Sequence, residues 1–437
     1  MALALSACSN GNSSNPQETR TAAQAANAGN FTSVYFLGDS LTAGFQSDSL
    51  IDTSQPNGWA NLVAKQIGTP VELPLIAPPG APNQITLVHL SPLTLGTLAG
   101  TTTGRDDFTI QPTDVAVPGA LTNDVLNTLP LLTPTTGQEQ LNQLVLGYPG
   151  FGYGVARSQA QQAAAANPTT IFLWIGNNDA LVADETGMPS SMTPLATFTT
   201  QYQQLINYLE ENTNAHLIIA NIPDVTAVPY LTPAAYVLAE TSAETGVPVA
   251  NLSAILGITT GDLVNPTGTA EIPLILAGQQ AGPISDSGFL SAAEVVTVQT
   301  MVTAYNGVIA SNAKAAGATL VDINALFAQT SANGITENGI TGTTAFLGGA
   351  FSLDGIHPTN TGYAVLANKF IDTINSSLSK TYPDVNVAAI AAVDPLFPPY
   401  PGHHAVKRQD KGVAPMTMPQ LPASARQSLH EIFGPRE

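Results

Sequence analysis

Short unbroken apolar runs recur along the chain, and between them lie residues spaced for amphipathic helices. Val34-Tyr35-Phe36-Leu37 stops at Gly38, Asp114-Val115-Ala116-Val117 stops at Pro118-Gly119, and Ile171 to Ile175 stops at Gly176. Leu217-Ile218-Ile219-Ala220 and Thr319-Leu320-Val321-Asp322 have the same character. Runs of this length ended by glycine or proline predict strands buried on both faces. Helical spacing marks Trp59, Leu62, Val63 and Ile67, then Phe198, Tyr202, Leu205, Ile206 and Leu209. It returns across 291–316 and in Tyr363, Leu366, Ala367, Phe370, Ile371 and Ile374. Continuous strands separated by helices predict an α/β fold with a parallel sheet covered on both sides.

Between these elements lie stretches rich in Thr, Pro and Gly at 69–113, 130–155 and 227–290. They are too long for ordinary connections and are expected as insertions gathered at one end of the sheet. Residues 9–30 are polar and Ala-rich without a strand pattern, and read as a tether. After Lys380 the pattern fails, because Pro395, Pro398, Pro399, Pro401, Pro415, Pro419 and Pro422 oppose regular structure. The expected organisation is a leader and tether over 1–30, one domain over 31–380, and an irregular tail over 381–437 with a short helix at 425–433.

Of the 437 residues only 10% are charged, and 12 basic against 31 acidic side chains give a net charge of −19. Such a field repels nucleic acid and gains nothing at an anionic membrane, so both are excluded as partners of the folded surface. The single cysteine, Cys8, rules out an intrachain disulfide and a cysteine-based zinc site. His403-His404 in the Pro-rich tail lacks a third ligand nearby, and no metal or cofactor is expected. Leu5-Ser6-Ala7-Cys8, followed by a polar Ser/Asn/Gly stretch, resembles the lipobox of bacterial lipoproteins. That resemblance implies lipidation of Cys8 and a location outside the cytoplasm, with membrane contact only through the lipid. No stretch approaches the roughly 18 apolar residues of a spanning helix.

Ligand sites of open parallel sheets form outside the carboxyl ends of the strands. The first run ends in Gly38-Asp39-Ser40-Leu41, where a tight strand-to-helix turn can project the Ser40 hydroxyl into the crevice. The second ends in Pro118-Gly119-Ala120, where a glycine lets a backbone N–H approach a ligand. The third ends in Gly176-Asn177-Asn178-Asp179, which offers a carboxamide donor. Downstream, Asp354-Gly355-Ile356-His357 places a carboxylate and an imidazole three residues apart on one turn. A hydroxyl, a base, an orienting acid and amide donors are the parts of an acyl-transfer site.

These four blocks, in this order, resemble the SGNH hydrolases, also called the GDSL esterase/lipase family. The resemblance implies a flavodoxin-like three-layer α/β/α sandwich over roughly 31–380. It implies Ser40 as nucleophile, His357 as general base and Asp354 as its partner. The N–H groups of Ser40 and Gly119, with the Asn178 side chain, would form the oxyanion hole. Asp39 and Asp179 adjoin these positions and are read as structural hydrogen-bond partners. The implied activity is a serine carboxylic-ester hydrolase, either an esterase or lipase acting on acyl esters or a carbohydrate O-deacetylase. A surface lipoprotein that kept the fold as a binding module without catalysis is the reading from another class.

Overall fold

The computed structural model describes residues 16–147, 155–398 and 418–436. Four parallel strands form the central sheet: Val34–Gly38, Thr170–Trp174, His216–Ala220 and Thr319–Val321, in that spatial order. Their register places Phe36 beside Phe172 and Phe172 beside Ile218. The run Asp114–Val117 lies along the outer side of the first strand, with Val115 N–H bonded to the Phe36 carbonyl at 3.0 Å and Val117 N–H to that of Gly38 at 3.1 Å. Only the Phe36–Asp114 pair has regular strand geometry there, since the flanking Pro112 and Pro118 cannot donate to a ladder.

Helices Trp59–Ile67 and Asn360–Leu378 pack together on one face of the sheet, and Gln159–Ala166, Leu195–Asn212 and Ala292–Ala315 on the other. The expected α/β/α sandwich is therefore the observed fold. On the first face Trp59 stacks on Phe370, with ring centroids 3.8 Å apart, and meets Phe36, Phe172 and Trp174 edge-on. Both tryptophans are thus core residues. On the second face Phe198 stacks on Tyr305 at 4.1 Å.

The long insertions border the carboxyl ends of the strands. Ala81–Leu90 and Leu93–Ala99 pair as a hairpin that reaches the nucleophile loop through Ile85 N–H to the Ser47 carbonyl. Residues 227–290 build a small antiparallel sheet, three helices and an apolar cluster of their own, including Leu238, Leu252, Leu256 and Ile258. Asn265 ties this unit back to the carbonyls of Asp184 and Glu185.

Two expectations need correction. The stretch read as a tether contains a helix, Pro16–Ala26, whose Gln24 side chain bonds the carbonyls of Glu210 and Thr213. Its alanines and glutamines are good helix formers and its proline sits at the permissive first position, so polarity misled where propensity was informative. The tail has the short helix expected near its end, at Ala423–Phe433, but the rest is not wholly irregular: a further helix spans Val387–Ala391, and Phe397, Leu421, Leu429 and Phe433 join the main core. Its prolines fall between these helices or, as with Pro422, at a helix start. Cys8, His403, His404, Lys407 and Arg408 lie outside the described residues. No helix among the described residues is long and apolar enough to cross a membrane.

Phe370→Ala should leave a cavity between Trp59 and Phe172 and cost about 3–5 kcal/mol of stability. Urea unfolding followed by tryptophan fluorescence measures it. A loss below about 1 kcal/mol would mean that this aromatic cluster does not hold the helix layer to the sheet.

Candidate active site

The turn after the first strand is built around Gly38. A Cβ there would collide with the Trp174 carbonyl and the Thr42 hydroxyl, so only glycine lets the neighbouring strand approach. The buried Gln159 side chain clamps this residue, accepting from Gly38 N–H and donating to the Gly38 carbonyl, both at 2.9 Å. Asp39 then caps the short helix Ser40–Ala43, accepting from Leu41 N–H, and this exit angle aims Ser40 across the ends of the strands. Val117-Pro118-Gly119-Ala120 is a type II turn, with Pro118 at its first central position and Gly119 at φ 75°. At the third strand end, the buried helix Asn177–Thr186 begins directly after Gly176 and carries Asn178 in its first turn.

The tertiary structure brings Ser40, Asp354, His357 and Asn178 into one place. His357 Nε2 lies 2.8 Å from Ser40 Oγ, and His357 Nδ1 lies 2.9 Å from Asp354 Oδ2. An ionised carboxylate only accepts, so Nδ1 carries the proton and Nε2 accepts from the Ser40 hydroxyl. Asp354 Oδ1 accepts from the backbone N–H groups of Ile356 and His357, each at 2.9 Å, and from the Ser352 hydroxyl at 3.2 Å. Oδ2 also accepts from Asp48 N–H at 3.0 Å. Asp354 thus binds the amides of its own turn through Oδ1 and the imidazole through Oδ2. The last helix is capped instead by Thr359.

Burial pushes the Asp354 carboxyl up, but the charge and N–H groups of His357 with Asp48 N–H outweigh it, and the net shift is downward. Ionised, it is matched to an imidazolium. Asn178 lines the cavity together with the serine, and the turn carrying Gly119 is held beside the serine turn by Val117 N–H to the Gly38 carbonyl. One N–H of the Asn178 amide donates to the Ala120 carbonyl at 2.9 Å, which fixes the plane of the group. Its second N–H is available to the cavity that Asn178, Ser40 and His357 line together. No hydrogen bond within the described residues uses the Ser40 or Gly119 backbone N–H.

The flanking acids have the structural places expected of them. Asp179 accepts from the N–H and hydroxyl of Thr122 and from the Thr193 hydroxyl. Asp39 accepts from Asn177 Nδ2 at 2.8 Å. His216 is buried against the Thr319 hydroxyl, and His430 pairs with Glu185 at 3.4 Å. Four groups around the site escaped the sequence reading. Gln159 and Asp48 support the serine and acid turns, and Phe45 and Phe433 pack on the imidazole with centroids 4.8 and 5.3 Å away. Ser352, a further donor to Asp354, lies only two residues before it and stood near enough in sequence to be suspected.

The cavity beside Ser40 measures about 90 Å³ and is almost wholly apolar, walled by Leu41, Leu181, Val225, Phe327, Ile335 and Leu366. Such a site can bind an apolar chain, hold a carbonyl against a hydroxyl, and move a proton through one imidazole.

The sequence pattern of the GDSL-like Lipase/Acylhydrolase family matches residues 34–370. Among curated proteins none matches the chain. Among solved structures the chain is similar to an acetyl-xylooligosaccharide esterase from Geobacillus Stearmophilus, with 10% identity and a TM-score of 0.36 over 80% of this chain and 96% of that one. It is similar to an extracellular lipase from Streptomyces rimosus, with 14% identity and a TM-score of 0.34 over 79% and 99%. It is also similar to a phospholipase A1 from Streptomyces albidoflavus, with 15% identity and a TM-score of 0.33 over 79% and 99%.

Burial raises the Asp39 carboxyl to about 7, against the opposing donors Asn177 and Leu41 N–H. Its folded pKa thus exceeds the unfolded value of 3.8, so the folded state holds the extra proton between them. Stability from this group is full below about pH 4 and falls as pH rises to about 7. Asp39→Asn should flatten the decline of Tm between about pH 5 and pH 8, because a carboxamide carries no proton that titrates in that range. A variant whose decline matched the parent's would place the proton elsewhere.

Proposed function

The chain belongs to the GDSL-like lipase/acylhydrolase family, and from that premise we propose that it is a serine carboxylic-ester hydrolase working through an acyl-enzyme. The observation that carries the reading is the unbroken buried chain Ser40–His357–Asp354 at the end of an apolar cavity. In the first half-reaction Ser40 Oγ attacks the ester carbonyl while His357 Nε2 takes its proton. Asp354 stabilises the resulting imidazolium and holds its tautomer. The negative charge formed on the carbonyl oxygen meets the Ser40 and Gly119 N–H groups and the second N–H of Asn178. Collapse expels the alkoxide, which takes the proton from His357. Water, deprotonated by the same imidazole, then releases the acid and restores Ser40.

The cavity lining favours a fatty acyl ester over an acetylated sugar, because its walls are mostly apolar and offer a sugar few hydrogen-bond partners. The Leu5-Ser6-Ala7-Cys8 stretch supports work outside the cytoplasm on a lipid anchor at Cys8. Hydrolysis of a chromogenic acyl ester, abolished in Ser40→Ala, tests the reaction class; activity that survived that change would refute it.

Asp354→Asn should lower kcat about 10⁴-fold, since the new amide donates to Nδ1 and sets the wrong imidazole tautomer against Ser40. Some stability should also be lost, because the amide cannot accept from Asp48 N–H. A variant with nearly full kcat per folded molecule would reduce the triad to a dyad.

Each buried methylene contributes about 0.8 kcal/mol, so kcat/KM should climb about fourfold per CH₂ from acetyl upwards until the cavity is filled. A series of nitrophenyl esters measures the climb. A flat series, with faster cleavage of acetylated sugars, would favour the O-deacetylase instead.

A further inference from the structure

An ester carbonyl held on Ser40 has two limbs, and the apolar cavity accommodates one of them. The other ends in the leaving oxygen, which must face His357 Nε2 to be protonated. It therefore leaves the serine along the imidazole, against which Phe45 and Phe433 are packed. In the structure that space is filled by the chain's own C-terminal segment. The Phe433 ring lies on the His357 imidazole and meets Phe45 edge-on. The Ile432 carbonyl and side chain occupy the space where a Cβ on Gly119 would stand. Arg436 donates to the Gly119 carbonyl and pairs with Asp124. Ser428 donates to Asp48 at 2.9 Å, and Asp48 in turn donates its N–H to Asp354. Met418 Sδ packs against Gly355 on the acid turn. One short segment thus touches the serine, glycine and acid–base turns together, and Ser40 is left only 3% exposed.

Beyond this helix lies a second hollow of a different kind. It is polar, lined by Asn83, Thr135, Thr136 and Gln140 on the body and by Gln427 and Glu431 on the helix. Gln138, whose backbone lies between those of Gly137 and Glu139, places its side chain against Gly119 and donates to the Pro118 carbonyl. The helix Ala423–Phe433 is therefore a partition, with the reacting groups on one side and a hydroxyl- and amide-lined hollow on the other.

We propose that the C-terminal helix Ala423–Phe433 occupies the leaving-group subsite, and that its displacement admits esters of bulky, hydroxyl-rich alcohols. The inference rests on Ser40 and His357 acting as proposed above. It divides the substrate between two surfaces: the acyl chain takes the apolar cavity, and the alcohol takes the polar hollow opened by the helix. Esters of small alcohols need no displacement, because their leaving group clears the imidazole without meeting Phe433.

The helix can be locked where it meets the hairpin, since Thr97 Oγ1 and Ser424 Oγ are exposed and 2.9 Å apart. The full chain carrying Thr97→Cys and Ser424→Cys, with Cys8→Ser to leave one thiol pair, is assayed oxidised and reduced. The substrates are the ethyl, glyceryl and glucosyl esters of one fatty acid. Oxidation should cut kcat/KM for the glyceryl or glucosyl ester at least about tenfold, leave the ethyl ester within about threefold, and be reversed by reduction. The larger of the two losses identifies the alcohol. An equal loss on all three esters would make the helix a general gate, and no loss would make it a fixed wall; either overturns the inference while leaving the Ser40 reading intact. Absence of ester hydrolysis in every form would overturn both. Should the disulfide not form, Arg436→Ala cuts the Gly119 and Asp124 anchors and should raise the glyceryl-to-ethyl ratio; an unchanged ratio overturns the inference.

Discussion

The Asp354 carboxylate is the constraint on which the site depends. It is fully buried, and an ionised carboxylate out of water is costly unless donors replace the lost hydration. Here the donors are the N–H groups of Ile356, His357 and Asp48, the His357 ring and the Ser352 hydroxyl. They come from two loops more than three hundred residues apart, so the acid turn and the serine loop must be docked before the charge is tolerated. Ser47 reinforces the junction, its N–H donating to Ser352 Oγ and its hydroxyl accepting from Leu353 N–H. The geometry that orients the imidazole is the same geometry that closes the fold at the end of the sheet.

The contrast with the other buried acids shows what those donors accomplish. Burial pushes Asp114 up to about 8, because only the Ala116 N–H opposes it. Among the described residues Asp184 has no hydrogen-bond partner on either oxygen, and it is raised well above the ordinary range by burial and by Asp224. Asp48, beside Asp354, is likewise raised, with Ser428 as its side-chain donor. One carboxylate is thus kept charged by concentrated donors while its neighbours are driven towards neutrality. That arrangement limits repulsion among acids in a strongly anionic chain.

The sandwich itself is simple; what distinguishes this protein is what is laid over the ends of its strands. The hairpin, the 227–290 unit and the C-terminal helix all converge there. The helix contributes Ile432 and Phe433 to the main core, while its attachments at Arg436 and Ser428 are few and polar.

Much of this was legible in the chain itself, because it rests on neighbouring residues. Apolar runs ended by glycine predicted the strands, since a strand buried on both faces has no polar alternation to show. Pro118-Gly119 encodes its type II turn and Asp39 its helix cap within a few residues. Asp354 and His357 lie on one turn, so their pairing needs only local geometry. What the tertiary structure decided is everything that requires distant segments to meet. No pattern near Gln159 marks it as the clamp on Gly38, and none near Asp48 marks its N–H as a ligand of Asp354. The tail's prolines argued against regular structure, because local signals report where a helix cannot continue. They do not report that Phe433, close in space to the imidazole and far from it in sequence, covers the site.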